Sequence, residues 1–240
     1  MAALTAVDVE VSAARLRSGE VSDGEFDALY ATTWQDVSAR YWTPVDVATI
    51  AARWLTEAGA KRVLDVGSGV GKVCLIGAAI TKATFVGIEQ RFALVMAARA
   101  AAQVLNVERR TMFIHAEASI SLMRGYSALY LFNPFGENLY STAGQLDQRV
   151  TLGKERYCQD LSLVEEVLRL MPPGGRVVTY HGFGGRLPDN MDIAREEPIG
   201  SDVLRLWIKT ERAAAGNFIE TDGGLVHLPA NLLERTAGGH

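Results

Sequence analysis

The feature that most constrains this chain is one short stretch, residues 63–72, which reads VLDVGSGVGK. A continuous apolar run ends in Asp65-Val66 and passes directly into Gly67, Gly69 and Gly71. An unbroken apolar run of this length fits a strand buried on both faces, as in a parallel sheet. The apolar residues after Lys72 recur at helical spacing. Strand, glycine turn and helix in that order specify a parallel α/β unit. The side chains are stripped away where the backbone must turn tightly and lie close to something else.

The pattern repeats along the chain. Strands are expected over residues 62–67, 84–89, 111–116, 128–135 and 175–181, and helices over 72–82, 91–105 and 156–171. This alternation predicts an open, mainly parallel sheet with helices on both faces. Residues 202–210 and 217–229 read as a closing pair of strands with little helix between them. Upstream, Ser22 and Glu25 form a capping-box pattern, with Phe26, Leu29 and Tyr30 at helical spacing. Residues 43–60 form an amphipathic helix with Pro44 in its first turn and Gly59 as its stop. The expected organisation is a helical extension or lid over residues 1–42 and one α/β domain over 43–240.

The composition is that of an ordinary soluble globular protein, with 48% hydrophobic and 22% charged residues among 240. The net charge of −4 argues against bulk nucleic-acid binding, which needs a basic face. Local basic positions exist at Arg109-Arg110 and between Lys154 and Arg156. Cys74 and Cys158 show no metal-ligand or disulfide spacing, and Cys74 falls on an apolar helix face. A reducing cytoplasm is the expected setting. No apolar run approaches the ~20 residues that span a bilayer, and the N-terminus lacks the pattern of a signal peptide.

In open α/β sheets the ligand lies at the carboxyl ends of the strands, where strand order reverses. The glycine turn faces that crevice. Gly67 makes the tight turn, Gly69 admits a ligand to the backbone, and Gly71 lets the helix pack close to the strand. Ser68 lies among them, and the following helix start offers unpaired N–H groups. The spacing is G-x-G-x-G, which differs from the G-x-G-x-x-G of dinucleotide enzymes. Asp65 sits two residues before the first glycine, where a carboxylate repels a diphosphate and attracts a cation. S-adenosylmethionine (SAM) carries a sulfonium and an ammonium and no phosphate. Glu89 ends the second strand 18 residues past Gly71, with Gln90 beside it. A carboxylate there accepts hydrogen bonds from ribose hydroxyls. Glu117, or the backbone at Ala116, is placed to meet an adenine edge after the third strand; a surface carboxylate is the alternative for Glu117.

Residues 63–79, the run FVGIEQ at 85–90, LYLFNPFG at 129–136 and LMPPGGRVVTY at 170–180 together resemble the class I SAM-dependent methyltransferases. The first stretch is most similar to the branch containing the non-SET histone-lysine methyltransferases and related bacterial enzymes. In that branch a Thr-Pro segment closes over the cofactor. YWTP at 41–44 matches it and adds Tyr41 and Thr43 to the cofactor contacts. The resemblance covers residues 40–210. It implies a Rossmann-like seven-stranded sheet with an antiparallel last strand, SAM as cofactor, and a methyl acceptor that is a small molecule or a protein.

Asn133, Pro134 and Phe135 resemble the Asn/Asp-Pro-Pro-aromatic motif of amino methyltransferases, with one proline missing. The histone-type enzymes carry Asn-Asn-aromatic there instead. The motif implies that Asn133 accepts hydrogen bonds from a target nitrogen and that Phe135 packs on it, with Asn133 also touching the cofactor. A tight turn is the structural alternative. His181, beside Tyr180, is the candidate general base; a hydrogen-bonded structural histidine is its alternative. Tyr41 and Trp42 line an acceptor pocket or lid, or pack in the core. Two other readings stay open: a nucleotide- or NAD-binding Rossmann enzyme, and a SAM-binding protein without turnover.

Overall fold

The computed structural model describes residues 11–200 and 202–211, and the backbone of 217–221 and 224–228. Four short helices, α1 (Ala13–Ser18), α2 (Asp23–Asp27), α3 (Thr32–Gln35) and α4 (Ser38–Tyr41), lead into α5 (Val45–Thr56). There follow β1 (Arg62–Val66), α6 (Lys72–Ile80), β2 (Thr84–Glu89), α7 (Phe92–Val104), β3 (Thr111–His115), α8 (Ile120–Met123), β4 (Ala128–Phe132), α9 (Lys154–Leu170) and β5 (Arg176–Tyr180). Four more strands complete the order: β6 (Met191–Ile199), β7 (Asp202–Lys209), β8 (Asn217–Thr221) and β9 (Gly224–Leu228).

Seven strands form one sheet in the order β3-β2-β1-β4-β5-β7-β6. The neighbours from β3 to β5 pair in parallel, and β7 runs antiparallel to both β5 and β6. The order reverses between β1 and β4, so the crevice opens where the glycine turn leaves β1. The sheet is covered on both faces. Val63, Tyr130 and Val178 pack with α5, α6 and α7, while Leu64, Leu129 and Val177 pack with α8 and α9. This two-sided burial explains why the strands read as apolar runs rather than alternating patterns.

The N-terminal residues share this core. Leu16 and Phe26 are fully buried in the cluster that holds α5 and α6. The capping box forms: Glu25 N–H donates to Ser22 Oγ, and Ser22 N–H donates to Glu25 Oε2 at 2.8 Å. Lys72, at the start of α6, is 3% exposed and donates to Asp23 at 2.5 Å and Asp27 at 2.9 Å. Ser38 adds a short hydrogen bond to Asp27. The segment before β1 is thus held against the helix that follows the glycine turn.

The closing strands differ from the sequence reading. The partner of β7 is β6, over residues to which the sequence reading assigned no element, and it lies at the sheet edge with mostly exposed side chains. Its charged run and Pro198 are edge-strand features, which carry no apolar alternation to detect. The strand expected over 217–229 is instead a separate hairpin of β8 and β9, outside the main sheet. Residues 222–223 and 229, within that expected span, lie outside the described residues, as do 1–10 of the expected extension. Among the described residues no helix is long and apolar enough to cross a membrane.

Candidate active site

The three glycines after β1 all adopt positive φ, at 71°, 55° and 79° for Gly67, Gly69 and Gly71. The turn hangs from the neighbouring strand: Gly67 N–H and Ser68 N–H both donate to the Ile88 carbonyl at 2.9 Å. Each glycine answers a different neighbour. A Cβ on Gly67 would lie 3.1 Å from Pro134 Cβ, and one on Gly71 2.5 Å from Phe113 Cε1 and 2.9 Å from Ala98 Cβ. Gly71 therefore serves close helix–strand packing. At Gly69 a Cβ would lie 2.6 Å from Trp42 Cζ3, and both residues line the cavity at the strand ends.

Glu89, at the end of β2, is 7% exposed. Its Oε2 accepts Gly69 N–H at 3.0 Å and its Oε1 accepts Arg91 N–H at 2.7 Å. Burial pushes its carboxyl upward, opposed by those two amides and the Arg91 charge. Asp65 is 4% exposed, and burial raises it to about 7; the Cys74 thiol, which donates to it at 3.7 Å, opposes the shift, and the Glu89 charge adds to it.

A cavity of about 400 Å³ opens at these strand ends. It brings together Tyr41, Gly67, Gly69, Glu89, Gln90, Ala116 and Glu117 from the expected cofactor contacts. The same cavity is lined by Asn133, Phe135 and His181, the expected catalytic residues. A smaller adjoining cavity holds Thr43, Asp65 and Ser68. There Thr43 Oγ1 lies 3.0 Å from Tyr130 Oη, and Ser68 Oγ is buried without a hydrogen-bond partner. Glu117 is 68% exposed and pairs with Arg156 at 3.1 Å.

Asn133 and His181 follow β4 and β5 with φ of 37° and 54°, the left-handed region. The left-handed turn ends each strand and marks both residues as local exceptions on the cavity wall. Asn133 N–H donates to Gly182 O at 2.8 Å, tying the two strand ends together. His181 Nδ1 lies 2.9 Å from Asp202 Oδ2, and its ring packs edge-on to Tyr180 at 4.6 Å. The acid partner that no local pattern identifies is thus supplied by β7.

The loop after β4 lines the cavity and is pinned by Arg91. That guanidinium is 6% exposed, donates to both Glu137 oxygens at 2.9 Å, and reaches Asp147 at 3.1 Å. On the other side Tyr41 Oη donates to Gly144 O at 2.6 Å. Deeper in, Arg156 Nε contacts both oxygens of buried Asp160 at 2.9 and 3.0 Å. Sequence reasoning missed Arg91, Glu137, Arg156, Asp160 and Asp202. The one local signal was the position of Arg91, two residues past Glu89 at the start of α7.

No family model matches the sequence, and no curated protein matches it. Solved structures are similar. A methyltransferase from Geobacter sulfurreducens superposes with a TM-score of 0.55 at 14% identity, over 81% of this chain and 93% of that one. An O-methyltransferase family protein from Burkholderia thailandensis does so with a TM-score of 0.51 at 12% identity, over 86% of this chain and 67% of that one. With its 3-2-1-4-5-7-6 sheet, its lone antiparallel seventh strand and its glycine turn at the switch point, the chain has the class I SAM-dependent methyltransferase fold.

Proposed function

We propose that this chain binds SAM and transfers its methyl group to a nitrogen of a small molecule or of a protein side chain. One observation carries the reading: the buried Glu89 carboxylate stands on the cavity wall at the end of β2, with the glycine-turn amide on one of its oxygens. Its remaining lone pairs suit the two ribose hydroxyls. Glu89, and Asp65 when ionised, flank the turn, which disfavours a diphosphate and suits a cationic amino-acid end. The buried, unpartnered Ser68 Oγ beside Asp65 supports a polar ligand group or water at that point. Ala116 and Glu117 border the adenine side.

SAM, when bound, supplies a methyl group already activated on its sulfonium. The chain's own task is to orient the acceptor and exclude water, which together lower a barrier by up to ~7–11 kcal/mol in well-aligned models. Asn133 offers its side-chain oxygen to the acceptor, and the buried Phe135 ring walls the same side. The loop pinned by Arg91 and Tyr41 shields the space from solvent. A protein lysine is supported by the likeness of residues 63–79 to the non-SET branch. Two free thiols, Cys74 buried and Cys158 exposed, support a reducing cytoplasm.

A hydroxyl acceptor is the second reading, favoured by the His181–Asp202 pair. A hydroxyl must lose its proton as it reacts, and a carboxylate on Nδ1 fixes the tautomer and ring orientation that a base requires. The similarity to an O-methyltransferase family protein points the same way.

The test is titration calorimetry with SAM, S-adenosyl-L-homocysteine and NAD, followed by a labelled-methyl screen of amines, peptides and phenols. Micromolar binding of the first two without NAD is expected. NAD binding in their place overturns the reading, and SAM binding with no transfer to any acceptor class leaves a binding protein.

A further inference from the structure

We propose that Arg40 is a carboxylate seat of the cavity, holding an acidic group of the molecule bound there; the idea rests on the methyltransferase reading of the same cavity. Three guanidiniums line that cavity, those of Arg40, Arg91 and Arg156. Two are already neutralised from within: Arg91 by Glu137 and Asp147, Arg156 by Asp160 and Glu117. Arg40 has no carboxylate at ion-pair distance among the described residues.

Its position is nonetheless built. The guanidinium carbon lies 5.4 Å from the Tyr41 ring centre and 5.0 Å from that of Tyr140. Tyr41 is itself anchored through its hydroxyl to Gly144 O. A Cβ on Gly144 would lie 3.2 Å from Arg40 Nη2, so the loop backbone also packs on the group. A guanidinium near the electron-rich faces of aromatic rings keeps its N–H donors, and those donors recognise a carboxylate in bidentate fashion. Arg40 is solvent-exposed, lies near both tyrosine rings and lines the cavity, so its N–H donors stay open to an anion there.

Two sources of that carboxylate share the chemistry. Arg40 lines the same cavity as Trp42 and Gly69, so the α-carboxylate of the cofactor's amino-acid end is one source. An acidic acceptor is the other source.

The experiment compares the wild-type chain with Arg40→Gln and Arg40→Lys by calorimetry, using SAM and decarboxylated SAM. Saturation-transfer NMR of benzoate and benzamide on the S-adenosyl-L-homocysteine-saturated chain forms the second arm. If the cofactor fills the seat, the wild type prefers SAM over its decarboxylated form by about tenfold or more, Arg40→Gln abolishes the preference, and Arg40→Lys keeps part of it. If the acceptor fills it, that preference is unchanged, and the benzoate signal is lost in Arg40→Gln while benzamide behaves as in the wild type. Equal weakening of all ligands, or no selective change in either arm, overturns the proposal. A wild type that binds neither form of SAM overturns the methyltransferase reading instead; the benzoate arm, repeated on the ligand-free chain, then still reads the seat.

Discussion

Arg91 grips Glu137 with two parallel hydrogen bonds of 2.9 Å, across 46 residues of sequence. The same residue donates its backbone N–H to Glu89, so the end of β2 and the loop after β4 share one anchor. A buried charge stripped of its partner costs about 3–5 kcal/mol. Arg91→Met is expected to destabilise the chain by about 3 kcal/mol in denaturant unfolding and to expose the loop after β4 to protease. Adding Glu137→Gln recovers part of the loss, and a strictly additive double-mutant cycle would show that the pair carries no coupling.

Lys72 ties the N-terminal helices to the start of α6. Lys72→Met leaves Asp27 buried without its counter-charge, and a loss of about 3 kcal/mol is expected. Thermal unfolding followed by circular dichroism reads it. An unchanged midpoint would mean that the segment before β1 adheres through its apolar contacts alone.

Glu89→Ala removes the carboxylate assigned to the ribose. SAM affinity is expected to fall by about 1–3 kcal/mol, the range for hydrogen bonds to a charged group. Calorimetry decides this, and an unchanged dissociation constant removes Glu89 from the site.

Gly69→Val places a branched side chain at φ 55° against Trp42. The ring must move, so SAM binding is expected to disappear and the tryptophan emission to shift. Retained affinity with unshifted emission would refute the placement of the turn.

Asp65 gives a pH signature. Its carboxyl is raised by burial from 3.8 to about 7 in the folded chain. Between roughly pH 4 and 7 the folded state keeps the proton that the unfolded state has released. Stability therefore falls as pH rises through that window, by about 4 kcal/mol in total, and is flat with respect to this group above it. Asp65→Asn removes that slope in a series of denaturant titrations. A wild-type stability that does not fall across the window would contradict the burial of an uncompensated carboxylate.

The sequence by itself determined what depends on local pattern. The alternation of β1 through β5 with α6, α7 and α9 follows from apolar periodicity, and the glycine turn and the Ser22–Glu25 capping box follow from residue chemistry over a few positions. Glu89 was legible because it ends β2 and Asp65 because it lies one residue before the end of β1, and the carboxyl ends of strands in a parallel sheet face the crevice. Tertiary structure alone decided the rest. The edge strand β6 has a charged, proline-bearing sequence that gains its identity only from pairing with β7. Arg91 finds Glu137, Lys72 finds Asp27 and His181 finds Asp202 through the folding of distant segments onto one another. Trp42 fills the space beside Gly69 for the same reason. Hydrogen bonds and ion pairs between side chains are selected by three-dimensional proximity, and that proximity exists only once the sheet order has been set.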